Sequence, residues 1–261
     1  AGIMPSVKGD FVATTHLLGT GAALSDRDRT TTMLAIQGRD SLVLVDCGGD
    51  AAHRLLASDL PLNRVTALIV THEHADHAAG FPLLMERLWL AGIGERFAVY
   101  GIAPALEQVK RIHDAFDTST WPRYPTIEYH VVEHVPNAVV LETDDLLITA
   151  SPGQHAVPVI GLRVVDKVGG GIMAYSCDTE RSEVITELAR GAELLIHEAT
   201  GKSPGHSTAV DAASVAAASG ASRLTLVHLP PAKYLDPAAL AEAREVFPAL
   251  TLGADGDRIE F

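Results

Sequence analysis

The sequence predicts an α/β fold, and two observations support this. Short apolar strands alternate along the chain with alanine-rich helical stretches, which is the pattern of sheets packed against helices. The hydrophobic content of 47% and the mean hydropathy of +0.17 are typical of a well-buried core. No long linker, repeat or low-complexity run divides the 261 residues, so we expect one domain over residues 1–261.

The individual elements follow from the periodicity of the apolar residues. The turn sequence Gly38-Arg-Asp40 separates two apolar runs, as in a hairpin, and the leucines of residues 81–91 share neighbouring faces of a helix. The predicted strands are residues 34–37, 42–45, 65–70, 131–133, 138–141, 146–149, 194–196 and 224–227. The predicted helices are residues 51–58, 81–91, 103–116, 183–190, 209–219 and 237–246. The irregular residues 117–125, with Trp121 and Tyr124, are either a loop that walls a pocket or a surface connection.

Acidic residues outnumber basic residues, 33 to 20, which gives a formal charge of -13. This balance argues against a protein that binds an extended nucleic acid, because such affinity depends on clustered Lys and Arg. A small anionic ester is not excluded, since bound divalent ions make a pocket locally positive. The apolar runs are strand-sized and residues 1–8 lack a signal-peptide pattern, so we expect no membrane segment and a cytoplasmic protein. Cys47 and Cys177 are too few for a disulfide framework and are expected to be free thiols.

The most informative motif is a Thr-His-Glu-His-Ala-Asp-His run that directly follows the apolar residues 65–70. Imidazole nitrogens and carboxylate oxygens at this density suit zinc and similar metals. His72 and His74, two residues apart, can project to the same side and hold one ion. Asp76 and His77 lie further along and can turn towards a second ion. The alternative is an exposed polar loop rich in histidine, but the position at a strand exit favours a metal site.

Three further metal-competent residues, His155, Asp178 and His228, come at or after the ends of apolar runs. Loops beyond strand ends build the functional sites of α/β proteins. Each residue taken alone fits a capping or hydrogen-bonded polar group. Together with the histidine-rich run, they favour a metal site assembled from several strand ends.

In this order the residues resemble the metallo-β-lactamase superfamily. The opening segments Leu18-Gly-Thr-Gly-Ala22 and Val45-Asp-Cys-Gly48 are also similar to that family. The motifs His-Glu-Ala-Thr at 197–200 and Gly-His-Ser-Thr-Ala at 205–209 resemble its ribonuclease Z and phosphodiesterase branch. The resemblance spans about residues 17–228. It implies a four-layer αββα sandwich with two divalent ions at one edge of the sheets, and it makes a homodimer reasonable. Zinc suits these ligands, and manganese or iron accept the same set.

The resemblance also implies a role for each motif residue. It assigns His72, His74 and His155 to the first ion, Asp76, His77 and His228 to the second, and Asp178 to both. In this arrangement a metal-bridging hydroxide attacks phosphorus. The resemblance further implies His206 as the proton donor, oriented by Glu198, with Asp76 completing the catalytic group. The alternatives are that the His206 loop only starts a helix capped by Ser207 or Thr208, and that Glu198 makes a structural hydrogen bond.

Two departures from the family pattern bear on the substrate. Ribonuclease Z enzymes with long substrates commonly carry a transfer-RNA-binding arm between the lone His and the bridging Asp, but only 22 residues separate His155 from Asp178. Beyond His228, the sequence Leu-Pro-Pro-Ala-Lys-Tyr is only loosely similar to the family's continuation. We therefore expect a metal-dependent hydrolase of small phosphodiesters or cyclic nucleotides.

Other functions remain open, because the same metal site serves several reactions. The alternatives are a lactonase or arylsulfatase-type ester hydrolase and a ribonuclease Z-type transfer RNA 3′ endonuclease. A non-catalytic binding protein and a flavodiiron-type redox site are disfavoured, since all seven implied ligand positions carry His or Asp.

Overall fold

Two mixed seven-stranded sheets form the centre of the computed structural model, which describes residues 11–261. The first sheet consists of β1 (Thr14–Gly19), β2 (Met33–Gln37), β3 (Leu42–Val45), β4 (Ala67–Val70), β5 (Arg96–Gly101), β6 (Thr126–Val131) and β14 (Arg258–Glu260). The second consists of β7 (Ala138–Glu142), β8 (Leu146–Pro152), β9 (Ile160–Asp166), β10 (Ile172–Tyr175), β11 (Leu194–Glu198), β12 (Arg223–Val227) and β13 (Leu250–Leu252). The spatial orders are β14-β1-β2-β3-β4-β5-β6 and β13-β12-β11-β10-β9-β8-β7. The signal-peptide expectation concerns residues 1–8, which lie outside the described residues.

Helices cover the outer face of each sheet. The first sheet carries α1 (Ala51–Ala57), α2 (Ala75–Ala78), α3 (Phe81–Leu90) and α4 (Ala103–His113). The second carries α5 (Glu183–Leu188), α6 (Ala209–Ser219) and α7 (Pro237–Val246). One apolar core contains residues from both sheets, and another joins the second sheet to its helices. The expected four-layer αββα sandwich is thereby confirmed.

The parallel parts of the two sheets position the candidate site. Strands β3 to β6 run parallel to one another, and so do strands β10 to β13. In sheets of this kind, ligands bind beyond the carboxyl ends of the strands. The histidine-rich run follows β4, while Asp178 and His228 follow β10 and β12.

Most of the predicted elements agree with the structure to within a few residues, but the strand predicted at 131–133 is wrong. The strand β6 occupies Thr126–Val131 instead, and residues 132–133 follow it. Because β6 is an edge strand of its sheet, none of its residues is fully buried and its alternation is weak. Val132 is buried just beyond the end of the strand, so a prediction based on hydrophobicity alone places a strand there.

A pair of strands takes up much of the segment between His155 and Asp178. Strands β9 and β10 are antiparallel and joined by residues 167–171. The amide of Gly170 donates to the carbonyl of Asp166, and that of Asp166 to the carbonyl of Gly171, which closes a tight turn. The segment therefore has no room for an additional arm.

Candidate metal centre

The histidine-rich run bends sharply where β4 ends. His74 lies at the amino end of the short helix α2, which brings Asp76 and His77 back towards the sheet. The loop after β3 passes directly beneath this helix. A Cβ atom on Gly48 would lie 1.8 Å from the carbonyl oxygen of Asp76, so only glycine fits there. The amide of Cys47 donates to the carbonyl of His77 at 2.8 Å, which fixes the helix against the sheet.

Three imidazoles, those of His72, His74 and His155, form the first cluster. The Nδ1 atom of His74 lies 3.1 Å from the Nε2 atoms of both His72 and His155. Two ligands bound at zinc distances in a tetrahedron lie about 3.3–3.6 Å apart, so this spacing is close to that of ligands around one ion. Burial, followed by the charge of His77, holds the pKa of His72 well below its usual range, which favours the neutral form that binds metals.

A second cluster contains Asp76, His77 and His228. The Oδ2 atom of Asp76 lies 3.6 Å from Nε2 of His77 and 3.4 Å from Nε2 of His228. Asp178 stands beside this cluster, because its Oδ2 atom is 3.6 Å from Nε2 of His77 and 3.3 Å from Nε2 of His228. The seven expected ligand side chains are therefore brought together at one edge of the two sheets.

The outward nitrogens of four of these histidines are held by hydrogen bonds. Nδ1 of His77 donates to the carboxylate of Asp46 at 2.8 Å, and Nδ1 of His155 donates to the carbonyl of Gly205 at 2.7 Å. The hydroxyl of Thr200 accepts from Nδ1 of His228 at 2.7 Å. Nδ1 of His72 lies 3.1 Å from the hydroxyl of Thr71, which in turn donates to Asp46. These bonds fix the tautomers in which Nε2 presents its lone pair to the clusters.

Two buried polar atoms in the clusters have no partner among residues 11–261. They are Oδ1 of Asp178 and Nε2 of His77. Buried polar atoms are nearly always paired, so these atoms indicate a missing partner, and their donor types fit a divalent ion. Burial alone would lower the pKa of His77, but the carboxylates of Asp178 and Asp46 outweigh it and raise that pKa. An arriving cation would displace the proton.

The predicted pair of Glu198 and His206 lies beside the clusters. Glu198 ends β11 and is fully buried, and its Oε1 atom accepts from Nδ1 of His206 at 2.9 Å. The amides of Thr179 and Thr200 also donate to this carboxylate, at 3.0 and 2.9 Å. Burial of His206 disfavours its charged form, but the hydrogen bond and charge of Glu198 outweigh this and raise the pKa. A ring nitrogen of His206 lies within 4.8 Å of ligand atoms of Asp178 and His155.

Three strand ends at the site have left-handed backbone conformations. Asp46, Cys177 and His228, at the ends of β3, β10 and β12, have φ angles of 62°, 52° and 51°. Residues other than glycine rarely adopt this region, and such strain is concentrated at functional sites. With these backbone conformations, Asp46 accepts from Nδ1 of His77, and His228 lies beside Asp76 and Asp178.

A cavity of about 560 Å³ opens over the clusters. Its polar lining residues include Asp76, Asp178 and His206. The apolar residues that line it include Leu24, Pro230, Pro231 and Tyr234. A larger cavity of about 800 Å³ lies beside α5 and contains none of the seven expected ligands.

Known proteins of one superfamily are similar to this chain. A family model described as the beta-lactamase superfamily domain matches residues 42–229. The chain belongs to the metallo-β-lactamase superfamily. A Ribonuclease Z from Synechococcus sp. (strain WH7803) is 32% identical, and the match covers 91% of this chain and 93% of that protein. A Ribonuclease Z from Methanothermobacter thermautotrophicus is 28% identical over the same shares.

The metallo-β-lactamase fold is also seen in a solved structure, that of the metallo-beta-lactamase fold protein YhfI from Bacillus subtilis. It has a TM-score of 0.81 and 23% identity, and the match covers 95% of this chain and 99% of that chain. The two Ribonuclease Z alignments extend over 293 and 305 residues, more than the 261 of this chain. Those relatives therefore carry segments that have no counterpart here.

The expectation against an extended nucleic acid is not borne out by these relatives, because both are named Ribonuclease Z. Net charge describes the whole surface and does not determine what one cavity binds. The chain is a hydrolase of this superfamily, as expected, and the family uses a dinuclear metal site. Within residues 11–261 no helix is both long and apolar enough to cross a membrane.

The sequence alone assigns no role to several residues that the structure places at the candidate site. Asp46 and Thr200 belong to motifs that resemble the superfamily. Each lies shortly after the end of a strand, and this position is the sequence feature that could have identified them. No such sequence feature indicates the apolar residues that line the cavity, among them Tyr234. Trp121 and Tyr124 instead line a separate cavity of about 200 Å³ beside α3 and α4, where Trp121 stacks on Trp89. Both cysteines are buried free thiols, as expected.

Proposed function

We propose that this protein is a metal-dependent phosphodiesterase that acts on small phosphodiesters. The observation that carries the proposal is that His206 lines the same cavity as residues of the two ligand clusters and is held there by the buried carboxylate of Glu198. A metal site without a neighbouring proton donor would support hydrolysis at carbonyl, sulfur or phosphorus centres equally well. A buried carboxylate that holds an imidazole beside the clusters adds a proton donor for a poor leaving group.

We further propose that His72, His74 and His155 hold one divalent ion, that Asp76, His77 and His228 hold a second, and that Asp178 contacts both. Zinc suits these nitrogen and oxygen donors. When bound, two such ions supply a hydroxide nucleophile near neutral pH and stabilise charge on the phosphoryl oxygens. The orphaned atoms of Asp178 and His77 and the fixed tautomers support this ligand set.

The protein's own residues then perform the proton transfer. Glu198 accepts from Nδ1 of His206, so Nε2 of the protonated ring is the nitrogen that can donate to the leaving oxygen. The amide donors Thr179 and Thr200 hold the Glu198 carboxylate in place. Burial opposes protonation of His206, but the hydrogen bond and charge of Glu198 raise its pKa and so favour the protonated form, which is the form required of a general acid.

The test is the dependence of the rate on the leaving group. His206→Ala should lower kcat about 10²- to 10⁴-fold on an alkyl phosphodiester, and far less on a 4-nitrophenyl ester, whose leaving oxygen needs no proton. Glu198→Gln should give a smaller loss with the same selectivity, because the amide keeps the contact but removes the charge. Equal losses on the two esters in His206→Ala would contradict a proton-donor role.

A second candidate is a ribonuclease Z-type transfer RNA 3′ endonuclease, and the names of the similar proteins favour it. A panel of a transfer RNA precursor, bis-(4-nitrophenyl) phosphate, a cyclic nucleotide, a lactone and an aryl sulfate separates the possibilities. Highest kcat/KM on the small phosphodiesters supports our proposal. Preference for the precursor supports the second candidate, and preference for the lactone or sulfate overturns both.

A further inference from the structure

The residues on both sides of His206 are held by one dipeptide, Thr179-Glu180. The carboxylate of Glu180 accepts from the amide of Gly205 at 2.8 Å, and the carbonyl of Thr179 accepts from the hydroxyl of Ser207 at 2.7 Å. The proposed chemistry assigns no role to the Glu180 carboxylate. The two contacts nevertheless fix the backbone from which the His206 imidazole projects.

This dipeptide is itself tied to the loops of two proposed ligands. It directly follows Asp178, and the amide of Glu180 donates at 2.8 Å to the carbonyl of Gln154, the residue before His155. The hydroxyl of Thr179 accepts from the amide of Gln154 at 2.9 Å and donates to the carbonyl of Glu180 at 2.7 Å. The carboxylate of Glu180 is therefore presented from a part of the backbone that is already ordered.

The loop that carries His206 is not attached to the clusters by its internal hydrogen bonds. The amide of Gly201 donates to the carbonyl of Ser207 at 3.0 Å, and the amide of His206 donates to the carbonyl of Ser203 at 3.1 Å. These bonds close the loop on itself. Gly205 has a φ angle of 81°, and a glycine has wide backbone freedom, so contacts from outside the loop must select its conformation.

Gly205 receives such contacts on both of its polar groups. Its amide donates to Glu180, and its carbonyl accepts from Nδ1 of His155 at 2.7 Å. A Cβ atom at this position would lie 2.8 Å from Nδ1 of His155, so the loop approaches the first cluster closely. A hydrogen bond to a carboxylate is stronger than one between neutral groups. Any displacement of Gly205 moves the next residue, His206.

We propose that Glu180 positions His206 for proton transfer by holding the amide of Gly205. This inference rests on the proposed phosphodiesterase function, in which His206 donates a proton to the leaving oxygen. Glu180 is not among the residues that line the cavity over the clusters, so it acts through the loop and takes no part in bond breaking. Without its carboxylate the loop loses one of its attachments, and kcat falls where the leaving oxygen needs a proton.

The experiment compares two esters that differ in the leaving group, methyl phenyl phosphate and methyl 4-nitrophenyl phosphate, on the zinc-loaded enzyme. Glu180→Ala should lower kcat about tenfold on the phenyl ester and less than about twofold on the 4-nitrophenyl ester, because the poorer leaving group depends more on a general acid. Glu180→Gln should recover most of the activity, since its amide oxygen can accept from Gly205. Glu183→Ala, at an exposed glutamate in α5, is the matched control and should behave as the wild type.

Two further readouts separate the positioning of His206 from a general structural role. In a protein that already carries His206→Ala, adding Glu180→Ala should change kcat on the phenyl ester by less than about twofold, since both changes act on one proton transfer. In the metal-free protein, amide hydrogen exchange at Gly205 should be about tenfold faster in Glu180→Ala than in the wild type, because the acceptor is lost. Glu183→Ala should leave this exchange rate unchanged.

The outcomes separate the inference from the function on which it rests. Full kcat on the phenyl ester in Glu180→Ala, or unchanged exchange at Gly205, would overturn the positioning role and leave the proposed function standing. Equal losses on the two esters, additive losses in the double variant, or a loss in Glu180→Gln as large as in Glu180→Ala would overturn it as well. Hydrolysis of neither ester by the wild-type enzyme would instead overturn the proposed phosphodiesterase function.

Discussion

At the scale of single residues, Asp145 shows how one carboxylate joins the two sheets. It lies between β7 and β8 but reaches the β2–β3 turn of the other sheet, where the amides of Asp40 and Ser41 donate to it at 2.7 and 2.9 Å. The hydroxyls of Ser41 and Thr143 donate to its other oxygen. Burial alone would raise the pKa of Asp145, but these hydrogen bonds outweigh it and hold the pKa well below its usual range.

The depressed pKa predicts a pH-dependent contribution to stability. Asp145→Asn should lower the free energy of unfolding by about 1–3 kcal/mol at pH 7, because charged acceptors are lost from buried donors. The carboxylate contributes fully above the unfolded pKa of about 4, and its contribution disappears as the pH falls towards the folded value. Urea unfolding from pH 3 to pH 7 should therefore show the two proteins converging in acid. Asp144→Asn, at an exposed neighbour, is the control, and a pH-independent difference for Asp145→Asn would contradict the prediction.

Some residues of the candidate site can be predicted from the sequence and others cannot. The seven expected ligands could be named because each follows an apolar strand and has a metal-competent side chain. Asp46 could not be assigned, since its role depends on a left-handed turn that brings it to His77. Tyr234 could not be placed either, because it reaches the cavity only when two distant loops pair.

At the scale of elements, helix α6 connects stability with the position of His206. Its N-cap Thr208 accepts from the amide of Asp211, and the Asp211 carboxylate accepts from the amide of Thr208, which is a complete capping box. The preceding Ser207 donates to the carbonyl of Thr179, beside the Glu198 carboxylate. The loop therefore both caps the helix and positions His206, so the cap is compatible with the proton-donor role that we propose for His206.

Thr208→Ala should lower the free energy of unfolding by about 1 kcal/mol, because a helix cap is lost. Ser214→Ala, in the same helix, is the matched control and should leave stability unchanged or slightly higher, since alanine is the better helix former. Chemical denaturation of both variants measures the difference. Equal changes in the two would show that the cap contributes nothing.

Helices with clear end signals were predictable, whereas the last two strands at one side of the first sheet were not. Helices α6 and α7 were predicted with their observed bounds, because each has helical spacing and clear end signals. The edge strand β6 was misplaced, and β5 was missed although its burial alternates along the strand. For β6, the edge position reduces burial, and with it the periodic signal on which such prediction depends.

At the scale of the whole molecule, the candidate metal centre lies between the two halves of the sandwich. His72, His74, Asp76 and His77 follow a strand of the first sheet, whereas His155, Asp178 and His228 follow strands of the second. We propose on this ground that residues 1–261 act as one hydrolase domain, because neither half holds a complete ligand set. Ions bound there would link the two sheets.

This arrangement predicts that metal binding raises the thermal stability of the protein. Removing the ions with a chelator should lower the Tm, since a ligand present at 100 to 1,000 times its Kd stabilises the native state by about 3–4 kcal/mol. Asp178→Ala should lose most of its metal by elemental analysis and should melt at the Tm of the chelated wild type. His206→Ala is the matched control: it removes a cavity residue outside the proposed ligand set and should keep both ions and respond to the chelator as the wild type does. Full metal content in Asp178→Ala would contradict its assignment to both ions, and an unchanged Tm after complete metal removal would show that the ions do not hold the sheets together.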